Sequence, residues 1–564
     1  MGAGALALIM LVPVVRLAKL QLLDHDYYRG LALQQQTVRR ALAGRRGNIY
    51  DCRGRLLATS VQRWSVFTDP SQVEQPRAAA AMLARVLKMG ASELLRRLTG
   101  PGRFAWIKRQ IADADAEQVR RLKLPGVHLE REYDRHYPMG QLCPHVVGFT
   151  DVDGRGLSGI ELELDRILRS GPGRELVLCD AARRVVRRAG DEPLLEPADG
   201  YDVYLTLDAY VQNIARKELL ARVKEHAPEA AWALVLDTVT GAVLADVNWP
   251  LFDPDEPGRA SPANLKDRTV TDAYEFGSVM KPLAAAAALE AGLVTPETTF
   301  YCHHGAWKVG WRTVHDVHPY GTLCVSDIIA KSSNIGIGQI GLLLGPERFY
   351  RSTRRFGLGE PTGIHLPGEI GGIVRPLRRW TRDSVISVAF GQEIATTPLS
   401  TACAFASLGN GGVLLRPQIV SKVVESSSGR VAYEWSGPQV RWRAVSEGTA
   451  RTVLEMMQHV VEEGTGQGAK LKEYAVAGKT GTASLLKPEG RGYSDDRYLS
   501  SFVGIAPADC PRVLVLVSLK APRKGSYYGG SVAAHACGQI LGQTLKYLKV
   551  PPRPAPVALA EARR

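Results

Sequence analysis

The chain has 564 residues, which at roughly 100–200 residues per domain allows two to four domains. Its 45% apolar and 23% charged residues are ordinary for a globular protein and exclude a largely disordered chain. The net charge of +14 suits anionic partners, but no Lys/Arg-rich run with interleaved aromatics occurs, so nucleic acid is not predicted to be one of them.

The first element is an apolar segment. Residues 2–15 carry no charged side chain, and Arg16 and Lys19 could extend its usable length by reaching back toward the membrane surface. A basic stretch before it and a small-residue cleavage site after it are both absent from the sequence, which disfavours a cleaved signal peptide. Because a membrane span needs about 20 residues, we expect residues 1–23 to be an uncleaved anchor, short or truncated at its N-terminus. A buried apolar helix is the alternative.

Short, turn-rich elements follow up to residue 205. The patterns predict a hairpin around Asp51–Arg55 and helices over Arg77–Leu98, Ile111–Leu122 and Glu161–Leu168. Residues 24–205 are therefore expected to form an α+β module without catalytic motifs. Four of its arginines could dock a neighbouring protein or brace the module itself, namely Arg39, Arg40, Arg45 and Arg46.

A different pattern begins near residue 206. It predicts a helix over Ala209–Lys224, strands over Trp232–Asp237 and Val243–Val247, a helix-dominated stretch from Ser278 to about Leu408, and strands over Tyr498–Ala506 and Arg512–Leu519. Sheet, helices and sheet in this order predict an α/β sandwich over residues 206–548. The proline-rich residues 549–564 are predicted to be disordered.

Cysteine and histidine spacing does not favour a metal site. The eight cysteines form no CxxC motif, which excludes zinc ribbons and thioredoxin-like chemistry. Cys302 and Cys324 could pair as a disulfide in an oxidising compartment. Four histidines follow Cys302 at spacings that match no standard zinc pattern: His303, His304, His315 and His318.

The first of three short motifs runs from Ser278 to Lys281, between Gly277 and an Ala/Leu run that is predicted to be helical. Ser278 is therefore expected near a helix N-terminus, where unpaired N–H groups favour a developing alkoxide. Lys281 lies three residues on, so its amine can reach the hydroxyl. Burial and a second cation would lower its pKa and let it act as a base. Taken singly, the motif is weak, and a capping serine is the favoured interpretation.

The second motif is Ser332–Asn334, which places hydroxyls and an amide in a short turn that can face a cleft. Taken singly, it describes a polar loop.

The third motif is Lys479–Thr482, which fits a strand. Alternation would place Thr480 and Thr482 on one side, while Lys479 would supply a fixed cation and Gly481 would let a ligand backbone approach. Taken singly, it describes an ordinary strand and turn.

The three motifs occur in the order Ser-x-x-Lys, Ser-x-Asn, Lys-Thr-Gly, the set found in penicillin-binding proteins and class A β-lactamases. On this evidence the chain resembles a class B penicillin-binding protein, the monofunctional D,D-transpeptidase of peptidoglycan synthesis. Residues 46–58, 135–140, 159–161 and 527–530 also resemble family motifs, although Cys52 stands where Arg is usual. Residues 147–154 resemble the septal, cell-division branch.

The resemblance implies a serine penicillin-recognising transpeptidase fold, with an antiparallel sheet between helices, over residues 206–548. An elongated α+β pedestal, or dimerisation-like module, would precede it over residues 24–205. It implies that Ser278 attacks the D-Ala-D-Ala carbonyl to form an acyl-enzyme and that Lys281 takes its proton. Ser332 would pass a proton to the leaving amine, Asn334 would hold the substrate amide, and Lys479 would steady Ser332.

The resemblance also implies a substrate-binding strand. Thr480 and Thr482 would bind the terminal carboxylate beside Gly481, and the backbone N–H groups of Ser278 and Thr482 would form the oxyanion hole. No metal or organic cofactor would be needed.

The implied ligands are peptidoglycan stem peptides and β-lactams, and the implied partners are a SEDS-family glycosyltransferase and other division proteins. A single-pass anchor in the bacterial cytoplasmic membrane would leave the catalytic domain outside the cell membrane. Two alternatives stay open: a hydrolase with the same motifs (D,D-carboxypeptidase or β-lactamase), and a non-catalytic divisome assembly factor. The long N-terminal module disfavours the first alternative, and the intact motifs disfavour the second.

Overall fold

The computed structural model describes residues 2–179, 185–188, 197–487 and 492–553. It begins with helical segments at Gly2–Ala18, Lys19–Leu23 and His25–Gln36. Within these described ranges, every helix is too short or too polar to cross a membrane. The anchor over residues 1–23 therefore stays a prediction.

The segment up to residue 205 alternates strands with short helices. Its helices are Pro76–Leu87, Ala91–Leu98, Asp113–Arg121, Pro144–Val147, Gly159–Glu163 and Asp165–Leu168, with 3₁₀ turns at Pro70–Gln72 and Gly140–Leu142. Thr37–Ala43, Pro172–Cys179 and Val185–Arg188 form a three-stranded antiparallel sheet. The predicted α+β character of this segment agrees with these elements.

A larger sheet joins the two halves of the chain. Its strands, in spatial order, are Val431–Glu434, Val420–Val424, Asp202–Leu205, Ile49–Tyr50, Leu56–Thr68 and Ala105–Ile111, and Val127–His136 also pairs with Leu56–Thr68. Ile49–Tyr50 runs parallel to Asp202–Leu205, and the other pairs are antiparallel. Because strands from both sides of residue 205 share this sheet, the domain boundary placed there stays a prediction.

Three predicted helices have different bounds in the structure. The helix expected over Glu161–Leu168 is two short helices, Gly159–Glu163 and Asp165–Leu168, which meet at Leu164. The helix expected over Arg77–Leu98 is two helices, because Lys88 takes a left-handed φ of +53° and ends the first one. The helix expected over Ile111–Leu122 begins only at Asp113, because Ile111 is the last residue of a strand.

Arg46 braces the N-terminal segment instead of facing outward. Its guanidinium is buried and pairs with Glu161 at 2.6 Å and with Asp165 at 2.7 Å. Arg135 meets the second oxygen of Glu161 at 2.6 Å. Of the two roles considered for Arg46, these contacts favour bracing, since a buried charge needs its partners to offset desolvation.

The second half is built on a five-stranded antiparallel sheet. The strands, in spatial order, are Val243–Trp249, Ala230–Asp237, Val513–Lys520, Tyr493–Ala506 and Ala477–Leu486. Ala209–His226 and Ala534–Tyr547 cover one face, and Lys281–Glu290, Pro398–Gly409 and Glu447–Glu462 lie on the other. The expected antiparallel sheet between helices is therefore confirmed.

The strand Ala230–Asp237 shows why the sheet is covered on both faces. Every one of its residues is buried. Trp232 and Leu234 belong to one hydrophobic core, whereas Ala233 and Val235 belong to the other. Apolar side chains at consecutive positions of a strand point to opposite faces of the sheet, so all of them are buried only when helices pack on both faces.

The remaining elements surround this sandwich. The helices are Arg268–Thr271, Val325–Ala330, Asn334–Leu344, Pro346–Arg355, Arg382–Ala389 and Gly529–Val532; the strands are Thr299–Tyr301, Ala306–Val309, Arg312–His315, Thr322–Cys324, Ile373–Val374, Ile394–Ala395, Val413–Arg416 and Gln439–Arg443. Six 3₁₀ turns lie at Pro257–Arg259, Pro262–Asn264, Gly277–Met280, His303–Gly305, Leu377–Arg379 and Gln467–Ala469.

The predicted disorder does not begin at residue 549. The amide of Val550 donates to the Leu545 carbonyl at 3.0 Å, and that of Arg553 donates to the Glu473 carbonyl at 2.9 Å. Residues 554–564 lie outside the described residues.

Candidate active site

Ser278 lies in a 3₁₀ turn, Gly277–Met280, immediately before the α-helix Lys281–Glu290. The sequence predicts that the helix starts near Ser278, and in the structure the α-helix begins three residues later, at Lys281. Residues three apart eclipse each other in a 3₁₀ turn, so Ser278 and Lys281 lie on the same side. Gly277 has a φ of +55°, and a Cβ there would come within 3.1 Å of the Ala483 Cβ. The turn can thus lie directly against the strand that holds Ala483.

Two lysines converge on Ser332. The Lys281 Nζ donates to the Ser332 carbonyl at 2.5 Å and lies 3.2 Å from the Ser332 Oγ. The Lys479 Nζ donates to the same Oγ at 3.1 Å. Ser332 itself has a φ of +61°, which is uncommon for a residue with a side chain and typical of functional sites. One residue from each of the three motifs therefore meets at a single hydroxyl.

The electrostatics of this cluster lower the pKa of both lysines. Lys281 is fully buried, and desolvation together with the charge of Lys479 holds its pKa well below the usual range for a lysine, against a smaller opposite effect of Asp316. Burial lowers the pKa of Lys479 to about 7. The lowered pKa makes the neutral amine of Lys281 more accessible, and a neutral amine can accept a proton as a general base must.

Asp316 holds the second motif in place, although no sequence motif pointed to it. One of its oxygens accepts the amides of Asn334, at 2.5 Å, and Ile335, at 3.1 Å. The other accepts the Ser333 hydroxyl at 2.6 Å. Ser333 is buried and accepts the Gly336 amide at 2.9 Å, so it caps the helix that follows.

Asn334 stays at the surface of this turn. Its side-chain amide donates to the His315 carbonyl at 2.9 Å, which leaves the amide oxygen for other partners. The short hairpin that ends at His315 is thereby fixed next to Ser332.

The third motif lies on the strand Ala477–Leu486, hereafter the KTG strand, which is an edge of the five-stranded sheet. An edge strand offers backbone N–H and C=O groups to an extended peptide. Thr480 and Thr482 lie on the same face by strand alternation. The Thr480 hydroxyl lies 2.8 Å from that of Thr465, and the Thr482 Oγ accepts the Gly529 amide at 3.0 Å.

Gly481 has a different local role from the expected one. A Cβ at this position would lie 2.6 Å from both the Phe276 carbonyl oxygen and the Val279 Cγ2. The absent side chain therefore lets the KTG strand pack against the Ser278 turn, so the glycine sets the distance between two motifs.

The cysteine and histidine cluster behind this site holds free thiols. Cys302 and Cys324 are both unpaired, and the Cys302 sulfur lies 3.5 Å from the Ser333 hydroxyl. Within the described part of the chain, no group of three or more His, Cys, Asp or Glu side chains is arranged to hold a metal ion.

Comparison with known proteins agrees with this geometry. The penicillin-binding protein transpeptidase domain family matches residues 231–542, and the penicillin-binding protein dimerisation domain family matches residues 41–205. The probable peptidoglycan D,D-transpeptidase PenA of Neisseria gonorrhoeae is 34% identical over 552 residues, which cover 97% of this chain and 92% of PenA.

Two further proteins are similar over most of their length. The peptidoglycan D,D-transpeptidase FtsI of Escherichia coli is 31% identical over 97% of this chain and 91% of FtsI. The crystal structure of penicillin-binding protein 3 from Mycobacterium tuberculosis, complexed with ampicillin, is 29% identical with a TM-score of 0.72, over 92% of this chain and 98% of that one. The chain therefore belongs to the penicillin-binding proteins, as one with a dimerisation domain followed by a transpeptidase domain.

Proposed function

We propose that this protein is a peptidoglycan D,D-transpeptidase that works through an acyl-enzyme at Ser278 and is acylated by penicillin at the same residue. The observation that carries the proposal is the meeting of Lys281 and Lys479 at the Ser332 hydroxyl, beside the turn that holds Ser278. Two buried lysines with lowered pKa values supply both a neutral base and a nearby cation.

The first half-reaction follows from these contacts. The Ser278 oxygen bonds to the carbonyl carbon of the penultimate D-Ala, while its proton passes to the Lys281 amine. As the C–N bond breaks, Ser332 gives its proton to the leaving D-Ala amine and regains one from Lys281, whose Nζ lies 3.2 Å away. Lys479 stabilises the Ser332 oxygen during this relay. An ester to Ser278 and free D-Ala result.

The KTG strand would hold the substrate. A stem peptide in extended conformation can pair with this edge strand, with its terminal carboxylate at Thr480 and Thr482 and its scissile carbonyl between the N–H groups of Ser278 and Thr482. Asn334 would hold the substrate amide. In the second half-reaction an amine of another stem attacks the ester, forms the cross-link, and returns a proton to Ser278.

The cellular setting is part of the proposal. Residues 1–23 would anchor the protein in the bacterial cytoplasmic membrane, with the catalytic domain on the outer side. The resemblance of residues 147–154 to the cell-division branch favours septal wall synthesis. The proposed partners are a SEDS-family glycosyltransferase and other division proteins, with residues 24–205 as a docking pedestal.

A cross-linking assay tests the proposed function. The full chain is incubated with peptide-bearing glycan strands and their partner polymerase, and cross-linked dimers and released D-Ala are measured by mass spectrometry. The proposal predicts dimers with D-Ala in equal amounts, both lost in Ser278→Ala. Release of D-Ala without dimers would identify a carboxypeptidase instead, and no acylation or product would support the assembly-factor alternative.

A further inference from the structure

A two-stranded hairpin, Ala306–Val309 paired with Arg312–His315, lies beside the active site without a role in the chemistry above. Hereafter it is the 306–315 hairpin. Its second strand ends at His315, whose carbonyl accepts the Asn334 side chain at 2.9 Å. The next residue, Asp316, holds the Ser332–Asn334 turn. The hairpin is therefore connected to the catalytic turn by hydrogen bonds as well as by the chain.

The inner face of the hairpin is fixed to the protein. Val309 and Val314 are buried. The Arg312 guanidinium donates to the Ser387 hydroxyl at 2.7 Å and lies over the Phe390 ring at 5.5 Å. Because this inner face is packed against the protein, the orientation of the outer face relative to the active site is fixed.

The outer face is open to solvent and carries a distinct set of groups. Alternation exposes Lys308, Thr313 and His315, with Ala306 as a small residue opposite His315. At the tip, Trp311 is 85% exposed. Trp is enriched at binding hot spots, and an exposed ring at a rigid tip is available to a ligand.

Charge and length suit one part of the substrate. Residues 303–315 contain lysine, arginine and histidines but no acidic residue, whereas stem peptides carry carboxylates. Trp311 is four residues from His315, or about 14 Å at about 3.4 Å per residue. An extended peptide covers this distance in about four residues. Because Asn334, which would hold the substrate amide, contacts the hairpin at His315, a stem that runs from there along the second strand would bring its sugar attachment point near the tip.

We propose that the outer face of the 306–315 hairpin docks the saccharide backbone of a peptide-bearing glycan strand. Trp311 would pack its ring on the C–H face of a sugar, and Lys308 and His315 would lie near the carboxylates of the stem. The inference rests on the proposed function, and it adds a sugar-binding surface outside the catalytic groove. It predicts that the enzyme binds a peptide-bearing glycan strand more tightly than a free stem peptide.

Binding measurements test this surface directly. In a full-length Ser278→Ala background, which prevents turnover, fluorescence anisotropy measures the Kd for uncross-linked peptide-bearing glycan strands and for the sugar-free stem peptide. Trp311→Ala is expected to weaken strand binding about tenfold and to leave stem-peptide binding within error. Lys308→Ser removes a cation proposed to lie near the stem carboxylates, so it should weaken binding of the strand and of the stem peptide alike, and by less than tenfold. Val440→Ala, a 64% exposed apolar residue on another strand, is the matched control.

The outcomes of these binding measurements either support or overturn the proposed sugar-binding surface. Strand affinity unchanged in both hairpin variants would overturn the proposal. An equal loss for the strand and the sugar-free peptide in Trp311→Ala would overturn it as well. A partial recovery in Trp311→Phe would support a ring-stacking contact. If the chain with Ser278 intact is not acylated by penicillin while strand binding still depends on Trp311, the proposed function fails and the docking surface stands.

Discussion

Replacing Lys479 with methionine isolates the electrostatic coupling between the two buried lysines. Methionine keeps an unbranched side chain of similar length but removes the charge and the hydrogen bond to Ser332. Lys281 would then lose the repulsion that helps to lower its pKa, while it stays buried. We therefore expect the pKa of Lys281 to rise in Lys479→Met.

The geometry gives the size of this rise. Both Nζ atoms lie within 3.2 Å of the Ser332 Oγ. They are therefore about 6 Å apart at most, and with an effective dielectric constant of about 20 their repulsion is at least about 3 kcal/mol. Such an energy corresponds to about a hundredfold change in a protonation equilibrium. Because a base must be unprotonated to act, the acid limb of the acylation rate should move to higher pH by about two units in Lys479→Met.

The assay is the pH profile of penicillin acylation. Single-turnover rates with a fluorescent penicillin are measured from about pH 5 to about pH 9, a range that brackets the limb. Lys331→Met is the matched control, because Lys331 is next to Ser332 in sequence but its side chain is 44% exposed and faces Asp327 at 3.6 Å. Its limb should coincide with that of the parent protein. A lower acylation rate in Lys479→Met, without a change in the pH of the acid limb, would not support the coupling, because only the position of the limb reports the pKa of Lys281.

The same variant has a second readout in stability. The pKa of Lys479 is about 7 in the folded chain, below the usual lysine value of 10.5, so the unfolded chain binds more protons between these two pH values. The free energy of unfolding should therefore rise with pH across that window, and Lys479→Met should flatten the rise. A limb that does not move, together with an unchanged slope, would refute the coupled-lysine explanation.

Three further outcomes follow from the contacts. Asp316→Ala leaves the Ser333 hydroxyl and the Asn334 amide without this acceptor, so the free energy of unfolding should fall by about 2–3 kcal/mol and the acylation rate by tenfold or more. Asp327 has an exposed carboxylate and serves as the control, so Asp327→Ala should change neither quantity. Arg46→Ala removes one of two cations on buried Glu161 and should cost about 3 kcal/mol by denaturant unfolding, more than Arg45→Ala. If instead Arg46→Ala keeps its Tm but loses only partner-dependent cross-linking, Arg46 is a docking residue. Deleting residues 1–23 should yield a soluble protein that penicillin still acylates, and continued sedimentation with membranes would locate the anchor elsewhere.

The three motifs could be recognised in the sequence because each fixes residue types at short spacing, and their order along the chain made coincidence improbable. The contacts between them were not predictable. The convergence of both lysines on Ser332 depends on the KTG strand packing against the Ser278 turn, which requires Gly481 to lack a side chain. That contact joins segments about 200 residues apart, and no local pattern records it.

Other parts of the site carry no pattern at all. Asp316 is a single acidic residue in a histidine-rich stretch, and Thr465 lies in a glycine-rich loop, so neither stood out before their partners were known. The helix predicted over Arg77–Leu98 failed for a local reason, because composition does not reveal that Lys88 adopts a left-handed conformation. Strand and helix periodicity elsewhere gave bounds within a few residues.

The central claim is that Ser278 is the residue acylated through the buried lysine pair. Intact-mass spectrometry of the purified chain after exposure to penicillin, followed by peptide mapping, measures this most directly. One adduct per chain on the peptide that contains Ser278, absent in Ser278→Ala and present in Ser333→Ala, is the predicted result. An adduct that persists in Ser278→Ala, or one mapped to another serine, would contradict the account.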